Sequence, residues 1–155
     1  MAQHGSLNEE LNIRDFVIGK TLVQYDFDIT AFGHEKGYIT GVGAKLYSSN
    51  NLIERVHKIF ENLIKDDNLN IKIGTIVTGD SFCTDIKLKE NPRKEFDADC
   101  IEMEAAAIAQ VCKLCDIPFI AIKSITDKPN GENQVQFDEY LKVVSKKCAE
   151  LVEKM

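Results

Sequence analysis

The sequence predicts an α/β domain. Strand-like and helix-like segments alternate through its second half. Leu52, Val56, Ile59, Phe60 and Leu63 recur at helical spacing. The run 117–125 is almost continuously apolar, as expected of a parallel strand covered on both faces. At 155 residues the chain has the length of one domain, and no repeat, low-complexity stretch or linker divides residues 1–155.

The elements follow in order. Segments 16–19 and 21–27 are β-branched and aromatic and read as strands. Glycines 33, 37, 41 and 43 mark a loop region. Gly41 and Gly43 form no dinucleotide loop, because no helix opens directly after them. Ser49 is placed to cap a helix running to about Lys65. Residues 71–78 read as a strand with Ile73, Ile76 and Val77 apolar. A polar loop leads to a strand over 98–103, an alanine-rich helix over 104–115 and the strand 117–125. A last helix begins at Phe137 and sets Leu141, Val144, Cys148, Leu151 and Met155 on one side.

Composition removes several function classes. A hydrophobic fraction of 44% and a charged fraction of 28% are ordinary for a globular protein and exclude a disordered or collagen-like chain. The apolar runs are too short to span a bilayer, so no membrane partner is expected. Polar residues and early acids after Met1 argue against a signal peptide. The net charge is -6, and Arg14, Arg55 and Arg93 are the only arginines. Neither nucleic acid nor a free phosphate is an expected ligand. Five cysteines without regular spacing do not make a secreted disulfide framework, and a reducing cytoplasm is expected. Cys112 and Cys115 form a CxxC inside an apolar helical pattern, with no second CxxC or paired histidine motif, so core thiols are expected. His4, His34 and His57 lack ligand spacing, so neither a metal nor a cofactor is expected.

The pattern also points to a site. Ligands of open parallel sheets bind beyond the carboxyl ends of the strands. Residues 78–82, 102–104 and 124–127 are expected there, bringing an aromatic ring, a methionine and several carboxylates. That set suits a neutral, flat, hydroxyl-bearing ligand. Glu104 opens the alanine-rich helix, whose dipole favours the ionised carboxylate. Such a group only accepts hydrogen bonds and fits a vicinal diol, although a plain helix cap fits the position too. Asp127 follows a buried strand and precedes the turn Lys128-Pro129-Asn130-Gly131. It can serve as a general acid if burial keeps it protonated, or simply close the turn. Phe82 can stack on a heterocycle or join the core. Met103 can pad a ligand or fill space.

Several motifs resemble one family. Ile101-Glu102-Met103-Glu104-Ala105-Ala106-Ala107-Ile108-Ala109-Gln110-Val111-Cys112 resembles the signature of the 5'-methylthioadenosine/S-adenosylhomocysteine nucleosidases. Pro118-Phe119-Ile120-Ala121-Ile122-Lys123-Ser124-Ile125-Thr126-Asp127 is similar to that family's next strand and catalytic aspartate. Thr78-Gly79-Asp80-Ser81-Phe82 resembles its purine-contacting loop, and Asp26-Phe27-Asp28-Ile29-Thr30-Ala31-Phe32-Gly33 its dimer-contact segment. Phe137-Asp138-Glu139-Tyr140-Leu141 resembles the start of its last helix.

The resemblance implies a nucleoside phosphorylase-like mixed central sheet flanked by helices, and hydrolysis of an adenine N-glycosidic bond. It makes Asp127 the general acid on the purine and Glu104 the holder of the ribose hydroxyls. Met103 packs on the sugar, Phe82 stacks on adenine and the Cys83 backbone meets the base edge. Glu102 and Thr126 complete the set of substrate-binding positions. Ile29 and Phe32 reach into a partner's pocket, which implies a homodimer. The resemblance begins well inside the family's domain, at Leu7-Asn8-Glu9-Glu10-Leu11, so the domain is expected to be N-terminally truncated and without the glutamate that orients the attacking water. Gln3-His4-Gly5-Ser6 departs from the family's turn, Lys123 stands where arginine is usual, and Thr126 where serine is usual. The competing expectation is a catalytically impaired nucleoside-binding or dimerising fragment, with strand edges and apolar faces left exposed.

Overall fold

The computed structural model describes residues 5–65, 68–81, 86–126 and 137–155, with the backbone alone for 86–90 and 137–141. Among these residues six strands and four α-helices follow in the order β1 (Gly5–Ser6), β2 (Phe16–Gln24), β3 (Leu46–Tyr47), α1 (Asn50–Leu63), β4 (Ile71–Thr78), α2 (Ile86–Phe96), β5 (Cys100–Glu102), α3 (Ala105–Leu114), β6 (Ala121–Ser124) and α4 (Phe137–Lys154). They build one mixed, curled sheet with helices on both faces, which is the expected fold class.

The sheet runs β1-β5-β4-β2-β3, and β6 also pairs with β2. Pairs β2/β4 and β4/β5 are parallel, while β1/β5, β2/β3 and β2/β6 are antiparallel. The parallel strand expected over 117–125 is therefore corrected to a short antiparallel one. An apolar run does not encode direction, and the residues before Ala121 lie outside the ladder. Because Ser124 pairs with Phe16, β6 ends where β2 begins. The sheet curls enough to bring this end of β6 beside the end of β5, where Lys123 Nζ lies 2.7 Å from Glu102 Oε2.

Alternation along β2 builds the layers. Phe16 and Ile18 face α1 and α4, in a cluster with Ile53, Val56, Phe60, Val144 and Leu151. The Phe16 and Phe60 rings lie 4.5 Å apart. Val17 faces the other way, into a cluster with Ile76, Cys100, Ala105, Ala106, Ala109 and Ile125 that joins α3 to the sheet. Leu22 joins this second cluster although strict alternation would place it beside Phe16. A register shift between Gly19 and Thr21 inserts Lys20 and exchanges the faces. At that point Ser48 Oγ donates to the Gly19 carbonyl at 2.6 Å, and Ser48 N–H donates to the Lys20 carbonyl at 3.1 Å.

Three elements differ from the sequence reading. Helix α2 occupies the polar loop. Pro92 and its charged side chains hid it, since proline removes an internal hydrogen bond. Tertiary contacts hold it instead: Arg93 donates to the Ala98 carbonyl at 2.9 Å, and Lys36 donates to Glu95 at 2.7 Å. Strands β1 and β3, two residues each, are too short to show a period. Cys115 is exposed rather than a core thiol. It follows the last turn of α3, which Asp116 ends with a left-handed φ of 55°.

Candidate functional site

The site forms where β5 hands over to α3. The helix begins at Ala105, and its first N–H groups have no partner within the helix. Glu102, the last residue of β5, turns its carboxylate back onto them. It accepts from Ala105 N–H at 2.8 and 3.0 Å and from Glu104 N–H at 3.1 Å. The Thr78 hydroxyl at the end of β4 donates to the same carboxylate and accepts from Ala106 N–H at 2.8 Å. Lys123 of β6 completes the set, with its Nζ 2.7 Å from Glu102 Oε2. Burial acts to raise the Glu102 pKa. The Lys123 ammonium, the Thr78 hydroxyl and the Ala105 N–H together outweigh it and hold the carboxyl below its ordinary value.

Glu104 is thereby released from capping. It stands at the N-cap position, yet its side chain makes no cap hydrogen bond. Its side chain is 42% exposed, and its Oε2 lies 3.2 Å from Lys123 Nζ. Met103 next to it is exposed. The bend 103–104 thus presents one carboxylate and one thioether outward, while Glu102 faces in.

Other expected residues take these places. Ile125 is buried and fixed through its backbone, donating to the Asp15 carbonyl at 2.8 Å and accepting from Arg14 N–H at 3.0 Å. Thr126 follows it, half-buried. Asp127, Phe82 and Cys83 lie outside the described residues. The loop start before Phe82 is set by Gly79, whose N–H donates to the Glu102 carbonyl at 3.0 Å. A side chain at Gly79 would strike the Tyr25 ring. Ile29 and Phe32 lie at a 3-10 turn, Thr30–Phe32, in the loop after β2, and Phe32 is 82% exposed. Among the described residues, no group of three potential ligands could hold a metal ion, and no helix is long and apolar enough to cross a membrane.

The model of the family described as the phosphorylase superfamily matches residues 4–155. The chain belongs to the phosphorylase superfamily. A 5'-methylthioadenosine/S-adenosylhomocysteine nucleosidase of Staphylococcus aureus is 35% identical over 150 residues, covering 96% of this chain and 64% of the relative. The solved nucleosidase of Campylobacter jejuni superposes with a TM-score of 0.89 at 34% identity, over 98% of this chain and 65% of that one. A Borrelia burgdorferi protein described as a putative nucleosidase, solved bound to adenine, gives 0.81 at 37% identity, over 99% and 67%. The chain therefore spans about two thirds of the length of the relatives it matches.

Within this superfamily member, the network of Thr78, Glu102 and Lys123 was not legible as a unit. Thr78 and Glu102 close the paired strands β4 and β5. Lys123 comes from β6, which pairs with neither of them. The one available signal was an acid three residues before the alanine-rich helix, where a carboxylate meets free N–H groups.

Proposed function

We propose that the chain carries the purine- and ribose-binding part of a nucleosidase that hydrolyses the N-glycosidic bond of 5'-methylthioadenosine and S-adenosylhomocysteine, releasing adenine. The observation that carries this reading is the division of labour between two acids. Glu102 is consumed by the helix, and Glu104 is left uncapped, half-exposed and backed by a cation. A carboxylate so placed accepts from both hydroxyls of a ribose. The nucleosidase relatives support the substrate class.

In this reading Asp127 protonates purine N7 as the bond breaks, which neutralises the leaving group. Glu104 holds the ribose hydroxyls and stabilises the cationic sugar, and water completes the hydrolysis. General acid catalysis of this kind contributes roughly a hundred- to ten-thousand-fold. Phe82 stacks on adenine, the Cys83 backbone meets its edge, Met103 packs on the sugar and Thr126 lines the approach to Asp127. Glu102 supports the site by fixing α3. Ile29 and Phe32 cover the thioether tail of a partner's ligand in a homodimer. The exposed Phe32 and an apolar outer face on α3 support that assembly.

The second reading, a nucleoside-binding or dimerising fragment without turnover, is favoured by the apolar residues that α3 leaves exposed. Incubation with methylthioadenosine, following adenine by chromatography, separates the two. Release abolished by Asp127→Asn supports hydrolysis. Thermal stabilisation without release supports the fragment. A folded sample that neither binds nor cleaves rejects both.

A further inference from the structure

We propose that Lys123 is a positioning residue, which holds the Glu104 carboxylate in place by sharing one ammonium between it and Glu102. The inference rests on the nucleosidase reading for its functional consequence and on geometry for the link itself. Lys123 Nζ lies 2.7 Å from Glu102 Oε2 and 3.2 Å from Glu104 Oε2. Its side chain is 15% exposed. The two acceptors differ in freedom. Glu102 is buried and tied to Ala105 N–H and to the Thr78 hydroxyl, so it anchors the ammonium. Glu104 is half-exposed and makes no cap bond, so the ammonium is what orients it.

The link also joins parts of the sheet that hydrogen bonding does not. Strands β5 and β6 share no ladder, since β6 pairs with β2. Lys123 fastens β6, three residues before Thr126, to the bend carrying Met103 and Glu104. A primary ammonium suits this task, since its three donors can serve acceptors in different directions. Removing it leaves Glu102 buried with no opposite charge beside it, which is costly in itself. A test must therefore separate loss of position from loss of fold. The pair Glu102→Gln and Lys123→Gln/Glu102→Gln does so, because a glutamine carbonyl at 102 still accepts from the α3 N–H groups.

Two measurements decide it. In chain labelled with carboxyl-13C glutamate, the Glu104 resonance is assigned by its loss in Glu104→Gln. It is expected to move less in Glu102→Gln, whose side-chain carbonyl still accepts from Lys123, than in Lys123→Gln/Glu102→Gln. Calorimetry with methylthioadenosine is expected to give about tenfold weaker binding in the double variant than in Glu102→Gln, the scale of one charge-assisted hydrogen bond. Lys123→Arg, which keeps the charge, is expected to recover most of the affinity. An identical Glu104 resonance in Glu102→Gln and the double variant would overturn the link. A displaced resonance with unchanged affinity would overturn the positioning role. If the parent chain binds no methylthioadenosine, the nucleosidase reading fails, and the resonance still decides for or against the Lys123 link.

Discussion

At the scale of single residues, the acid limb of stability belongs to Glu102. Its carboxyl is held below the ordinary value of 4.5. Its stabilising contribution is then fully present above that value and lost as the pH falls through the lower folded-state pKa. Urea unfolding from pH 7 down to pH 3 is expected to show stability falling on the acid side. Glu102→Gln is expected to remove part of that slope, and equal slopes in the two proteins would contradict the assignment. Thr78→Val tests the same network from the other side. It keeps the shape but leaves Ala106 N–H without its acceptor and takes one donor from Glu102, at a cost of about 1–3 kcal/mol in urea unfolding. Glu104→Gln is expected to behave differently. Its half-exposed side chain caps nothing, so the melting temperature should hardly move while methylthioadenosine binding weakens.

At the scale of elements, α1 illustrates what a period can reveal. Its stripe of Val56, Ile59, Phe60 and Leu63 is visible in the sequence, and Phe60 is fully buried against Phe16. Phe60→Ala is expected to cost about 3–5 kcal/mol by denaturant titration. The same logic located β4, α3 and α4, because each carries enough apolar residues to show its period. It could not find α2, whose proline and charges argue against a helix that is held by bonds from its Arg93 to Ala98 and from Lys36 to its Glu95. Nor could it read the direction of β6, since pairing partners are a property of the sheet and not of the strand. The bend 102–104 was legible as a site, but the roles within it were not. Which glutamate caps and which is presented depends on Thr78 and Lys123, far away in sequence. Thiol chemistry also follows the elements. Burial raises the Cys148 pKa, whereas Cys115 lies exposed past the end of α3. Iodoacetamide followed by peptide mass spectrometry is expected to label Cys115 well before Cys148; the reverse order would contradict this placement.

On the scale of the whole molecule, apolar surface is unevenly spread. Ile108, Val111, Leu114 and Ile117 are all more than half exposed, and Leu114 reaches 67%. These residues, along α3 and just past its end, are what the proposed homodimer would cover. Sedimentation velocity is expected to show self-association that Leu114→Glu weakens, with the melting temperature little changed. A monomeric parent chain would remove the homodimer from the reading above.

Strand β2 is the spine to which three other strands are zipped, and the extra residue at Lys20 is where one outer neighbour gives way to another. Lys20 points to solvent, so its replacement by alanine should pass unnoticed. Its deletion would leave Thr21 opposite Thr75 and Leu22 opposite Ile76 in an unbroken ladder, so a folded protein is expected, short of the bond from Ser48 N–H to the Lys20 carbonyl. The extra residue thus bends β2 between its two antiparallel neighbours without changing which side chains meet across the ladder.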